Sequence, residues 1–137
     1  MPRAVLDPNV LVSALISSAG PCARLLIELR AGSYELVVSP QLLGELAEVL
    51  GREKFRRYLS EAEAEAYVEL LRRESIALDD PDPSAETLSD DPDDEFLIAL
   101  SRAARVEALV SGDDHLLRLR DVIPVVTPRE FLQSLPD

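Results

Sequence analysis

The chain has 137 residues, 47% of them hydrophobic but only 4% aromatic, and carries a formal charge of −12. That length fits one domain spanning residues 1–137, with a core of Leu, Val, Ile and Ala rather than large rings, which suits helices packed on a sheet. The charge weighs against bulk electrostatic binding of nucleic acid, because contact with phosphate ordinarily rests on an excess of Lys and Arg.

In chain order, Arg3 to Asp7 reads as a short strand entering Pro8, and Asn9 to Ile16 continues as an apolar helical segment. Gly20 and Pro21 break the chain before a second helix, Cys22 to Arg30, with Leu25, Leu26 and Leu29 on its buried stripe. Tyr34 to Val38 is a β-rich run leading into Ser39 and Pro40, a capping residue and a first-turn proline, so a third helix covers Gln41 to Leu50. A basic stretch follows, and Ser60 with Glu63 forms a capping box for a fourth helix. Asp79 to Ser89, acidic and proline-bearing without apolar period, is a loop. Asp91 and Pro92 restart a helix carrying Phe96, Leu97, Leu100 and Ala104 on one face. Ala108 to Val110 is a further strand and Ile123 to Val126 the last, after which Thr127, Pro128 and Glu130 open a short terminal helix.

Strands alternating with helices imply an α/β fold, a mostly parallel central sheet with helices on both faces and the working site outside the carboxyl ends of the strands. No apolar run nears the roughly 20 residues of a membrane span, and the N-terminus enters directly into a strand-like segment, so the reading is a cytoplasmic protein with no membrane partner. The single cysteine, Cys22, has no partner for an internal disulfide and is most simply a small buried hydrophobe.

Four acids fall where such a site would form. Asp7 ends the first strand, Glu45 lies at the border of the third helix's buried stripe, Asp94 opens the helix before the Ala108 strand, and Asp113 follows that strand. Asp7, Asp94 and Asp113 could each serve only their own helix N-termini. Glu45 is harder to dismiss, since a carboxylate at a buried border is costly without a partner. Converging carboxylates repel one another, and all-oxygen ligation is what Mg²⁺ or Mn²⁺ prefers, so cluster and cation explain each other. One Cys and one His leave no zinc site, and no phosphate loop, dinucleotide glycine pattern or nucleophile elbow is present.

The stretches VLDPNVLVSAL, VVSPQLLGELAEVL, DPDDEFLIAL and LVSGDDHLL, in this order and spacing, resemble PIN-domain ribonucleases, in particular the VapC-like toxin branch of toxin–antitoxin systems. The resemblance implies a three-layer α/β/α PIN-like fold. It also implies that Asp7, Glu45, Asp94 and Asp113 are the catalytic acids and hold one or two Mg²⁺ or Mn²⁺ ions that hydrolyse an RNA phosphodiester. Asn9 and Ser111 match polar positions lining the family's site, Asp91 competes with Asp94, and Asp114 competes with Asp113. Two departures stand out: Pro8 replaces the usual Thr or Ser after the first acid, and His115 replaces the second Asp in the branch's GDKDLL. The resemblance further implies a homodimer and a small antitoxin protein as partner. Arg52, Lys54, Arg56, Arg57, Arg118 and Arg120 are the basic residues expected to track the RNA backbone. Two other functions compete. An aspartyl-phosphate enzyme built on Asp7 would want a second acid where Asn9 stands and a catalytic lysine, whereas Lys54 is the only lysine. A catalytically inactive PIN-like module that binds a partner is favoured by Pro8 and His115 and opposed by retention of all four acids.

Overall fold

A computed structural model describes residues 1–82 and 92–136. Asp91 and most of the acidic loop lie outside these residues. The first strand, β1 (Arg3–Leu6), is buried from Ala4 onward, as expected of a strand covered on both faces. Asp7 then caps α1 (Pro8–Ile16) by accepting the Asn9 N–H at 3.0 Å, and Pro8 occupies the first turn, where its missing N–H costs nothing. After α2 (Pro21–Arg30) comes β2 (Glu35–Val38), and Ser39 caps α3 (Pro40–Leu50) through the Leu42 N–H. A 3₁₀ turn, Glu53–Phe55, precedes α4 (Glu61–Glu74), whose capping box between Ser60 and Glu63 is complete.

The second half holds β3 (Ile76–Ala77), α5 (Pro92–Ala104), β4 (Ala108–Val110), α6 (Asp114–Leu117), β5 (Val125–Val126) and α7 (Pro128–Ser134). Two elements go beyond the sequence-based expectation: the 3₁₀ turn inside the basic stretch and the two-residue strand β3, which pairs with β2 through Val37–Ile76 and Val38–Ala77. The last strand is shorter than expected, because only Val125 and Val126 pair with β4.

All pairings are parallel and the strand order is β3-β2-β1-β4-β5. The chain therefore moves outward from β1 to β3, then crosses back and moves outward the other way through β4 and β5. Right-handed crossovers place the helices of the first excursion on one face and α5 and α6 on the other, giving three layers. Leu6, Leu36, Leu42, Leu46, Leu100 and Leu109 are among the fully buried side chains, each worth about 2 kcal/mol of apolar burial. Tyr34 meets Phe131 of α7 edge to face at 5.1 Å and donates its hydroxyl to the Leu25 carbonyl, tying β2, α2 and α7 together. No single helix among the described residues is long and apolar enough to cross a membrane.

Candidate functional site

Reversal of strand order beside β1 creates a crevice between the carboxyl ends of β1 and β4. The register Leu6–Val110 carries Asp7 and Ser111 out of the sheet side by side, and the Asp7 N–H continues the ladder to the Val110 carbonyl at 2.9 Å. Ser111 is fully buried and donates its hydroxyl to Asp7 Oδ2 at 2.9 Å. The same hydroxyl oxygen accepts the Asp113 N–H at 3.0 Å, so one serine orients the first acid and the loop carrying the last. Asp113 in turn accepts the His115 N–H at 2.9 Å and caps α6.

Asp7 and Asp113 line one open cleft of about 360 Å³, with Asn9, Val10 and Ser13 from α1, Cys22 from α2, Gly112 and Pro128. Asp114 and His115 are exposed at the start of α6. Asp7 is only 6% exposed. Burial pushes its carboxyl above the ordinary value, the hydrogen bonds from Asn9 and Ser111 pull it down, and the charge of Asp113 pushes it up again. Both Asp7 and Asp113 do cap helices, and the capping leaves them paired at one cleft.

Asp94 sits in the first turn of α5 and is 5% exposed. Helix α5 packs on β1 and β4 and finishes at the amino end of β4, with three residues between, so it runs antiparallel to the strands and its first turn lies toward their carboxyl ends, where Asp7 and Ser111 stand. Glu45 is half-buried on α3, with Leu42 and Leu46 beside it fully buried and Glu48 exposed, as the helical spacing requires. Among the described residues, no three His, Cys, Asp or Glu side chains stand close enough together to hold an ion. The donor set at the cleft nonetheless suits a hard cation: carboxylate and hydroxyl oxygens, with a buried Asp7 carboxyl whose charged form is disfavoured by burial and by its neighbour.

The basic candidates divide. Arg56 donates to the Leu50 carbonyl at the end of α3, and Arg120 makes a two-pronged ion pair with Glu130 at 2.7 and 3.1 Å. Arg52, Lys54, Arg57 and Arg118 are exposed. Sequence reasoning missed the walls of the cleft. Cys22 is half-buried there rather than a core residue, and Ser13 and Pro128 reach the cleft only through helix packing and the β5–α7 connection, which no local pattern announces.

A parallel 3-2-1-4-5 sheet with an acidic cleft at its switch point defines a class of α/β proteins built to hold a ligand at that edge. The family model for the PIN domain matches residues 3–115, and the chain belongs to that family, one of nucleases whose members generally use divalent metal ions. Among solved structures, one match is VapBC2 from Rickettsia felis bound to a DNA fragment from their promoter. The TM-score is 0.64 at 13% identity, over 91% of this chain and 98% of the other, a likeness of fold. No curated protein matches the chain significantly in sequence.

Proposed function

We propose that the protein is a divalent-metal-dependent endoribonuclease acting in the cytoplasm as the toxin of a toxin–antitoxin pair. The observation that carries the reading is the buried Asp7 carboxylate, held by Ser111 at the switch-point cleft and facing Asp113. Asp7 and Asp94 would hold Mg²⁺ or Mn²⁺, with Glu45 and Asp113 as further ligands or as acceptors that orient water. Such an ion supplies an activated water and charge stabilisation at the phosphate. The chain's own part is positional: Ser111 fixes the Asp7 carboxylate, its contact to the Asp113 N–H fixes the loop, and Asn9 presents a polar side chain on the exposed side of α1. Likeness of fold to a toxin–antitoxin complex supports an antitoxin partner; the homodimer in this proposal comes from the family resemblance of the sequence alone.

The test is cleavage of single-stranded RNA by the purified protein. Mg²⁺ or Mn²⁺ should support it, EDTA should stop it, and Asp7→Asn should lower kcat by 100-fold or more, on the order of 3 kcal/mol of lost transition-state stabilisation. Equal activity of Asp7→Asn and wild type would remove Asp7 from the chemistry. A second reading, an inactive partner-binding module, draws on the pairing of only Asp7 and Asp113 at the cleft among the described residues. Calorimetric titration of Mn²⁺ into wild type and Asp94→Asn separates the two, since heat that depends on Asp94 belongs to a functioning site.

A further inference from the structure

Helix α1 carries a row of less buried positions that joins two different surfaces. Asn9, exposed, and Ser13 and Ile16, both half-buried, recur at i, i+4 and i+7, while Val10, Leu11, Val12 and Ala14 are buried and half-buried Leu15 packs on the core away from that row. Asn9 and Ser13 line the acidic cleft; Ile16 lines a second depression of about 510 Å³ with Glu53, Lys54, Phe55, Arg57 and Tyr58. From Asn9 to Ile16 the helix rises about 10 Å, the length of roughly three stacked nucleotides at about 3.4 Å each.

The second depression combines exposed aromatic surface with positive charge in a strongly acidic protein. Tyr58 is 52% exposed, unusual for a ring in a chain that has only three tyrosines and three phenylalanines. The Arg57 guanidinium lies 5.0 Å from the ring centre and donates to the phenol oxygen at 2.8 Å. Lys54 sits 5.2 Å over Phe55, whose ring is buried and anchors the 3₁₀ turn. Glu53 is the acid among the lining residues, against the cations Lys54 and Arg57, with exposed Arg52 on the same turn.

We propose that Tyr58, with Arg57, is a base-stacking subsite for single-stranded RNA, and that the strand runs from it along the α1 row to the acidic cleft. This rests on the nuclease reading and names where that substrate is gripped away from the acids. Every base has a face to stack, so the subsite is tolerant of sequence, while Lys54 and Arg52 meet the adjoining phosphates. A presented ring beside oriented cations suits a nucleobase and its phosphate better than an apolar partner surface, which would gain little from Arg57 and Lys54.

The chain contains no tryptophan, so Tyr58→Trp introduces a single indole reporter at the subsite. Binding of a short single-stranded oligoribonucleotide to the full chain should quench that emission, whereas inorganic polyphosphate should not. In an Asp7→Asn background with Mg²⁺, Tyr58→Ala should weaken oligonucleotide affinity about tenfold and Tyr58→Phe should stay near wild type, the size expected for one stacked base. For cleavage, Tyr58→Ala should raise KM on long substrates, leave kcat unchanged, and leave a dinucleotide too short to reach Tyr58 unaffected. Unchanged affinity in Tyr58→Ala, binding without quenching, or no oligonucleotide binding at all would overturn the subsite, the first also being the result if the patch serves a protein partner. Quenching without cleavage by wild type in either metal would instead leave the subsite standing and sink the nuclease reading.

Discussion

Asp7 caps α1, continues the β1–β4 ladder and carries a carboxylate that burial disfavours. Its pKa is raised above the ordinary 3.8 chiefly by desolvation, with the Asp113 charge adding to it. A carboxyl raised in the folded state contributes stability at pH below its unfolded value, and that contribution is lost as pH rises through the folded value. At neutral pH the ionised Asp7 therefore costs stability. Asp7→Asn keeps an oxygen for the Asn9 N–H and removes the charge, but sets an amide N–H where Oδ2 accepts the Ser111 hydroxyl, so in EDTA at pH 7 it should raise Tm by at most a few degrees, on the order of 1 kcal/mol. The gain should shrink as pH falls through the raised folded value, as the wild-type carboxyl takes up its own proton. Thermal melts of both proteins across that range measure it; a variant less stable than wild type at neutral pH would show that the hydrogen bond accepted from Ser111 outweighs the cost of burying the charge. The exchange of stability for a charged group at a cleft is what sites of chemistry commonly show.

Two helices end in the same motif with different residues. After α2, Gly32 adopts a left-handed φ of 79° while its N–H bonds the Leu29 carbonyl and the Ser33 N–H bonds the Glu28 carbonyl. After α5, Arg105 stands at the same place with φ 52°, its N–H on Arg102 and the Val106 N–H on Ser101. Glycine adopts that conformation freely, and an exposed arginine does so against its Cβ. Arg105→Gly should therefore raise stability by about 0.5–1 kcal/mol, read by denaturant midpoint with unchanged m, and should leave the acidic cleft untouched. A loss of stability would mean that the arginine side chain contributes more than the strain costs. The pair also shows what sequence could and could not reveal. Gly32 marks an ending in the text of the chain, and Arg105 does not, although both endings are built alike. Capping signals at Ser39, Ser60 and Thr127 were legible because they act through neighbours three residues away. Strand β3 was not, because Ile76–Ala77 is too short to alternate and is a strand only by pairing with β2. Asp7 and Asp113 were legible as acids at strand ends and Ser111 as a polar position of the family's pattern, but the hydrogen bonds by which Ser111 links them, and Cys22 and Pro128 around them, arise only when β1, β4, α2 and α7 pack.

At the scale of the whole molecule the charge of −12 and the proposed substrate oppose each other. Acids and exposed cations are both spread over the surface, Arg24, Arg30, Arg72, Arg73, Arg102 and Arg129 among them, and the groups on the 3₁₀ turn and just beyond α6 are local, so the strand must be held locally against a repulsive average field. These two effects respond to salt in opposite directions. Added monovalent salt screens the long-range repulsion within a Debye length of about 10 Å at 0.1 M and so favours association, while it weakens local phosphate contacts through counterion release. Four exposed cations, Arg52, Lys54, Arg57 and Arg118, would alone give a slope of log affinity against log salt of about −3 for a single strand. The screened repulsion should make the observed slope shallower than that at constant Mg²⁺. Reversing Arg57 to Glu should flatten it further by about one while leaving Mn²⁺ affinity unchanged, because that residue stands on the 3₁₀-turn surface and not among the acids. A slope steeper than about −3, or one that Arg57→Glu does not alter, would place the bound strand on some other face of the protein.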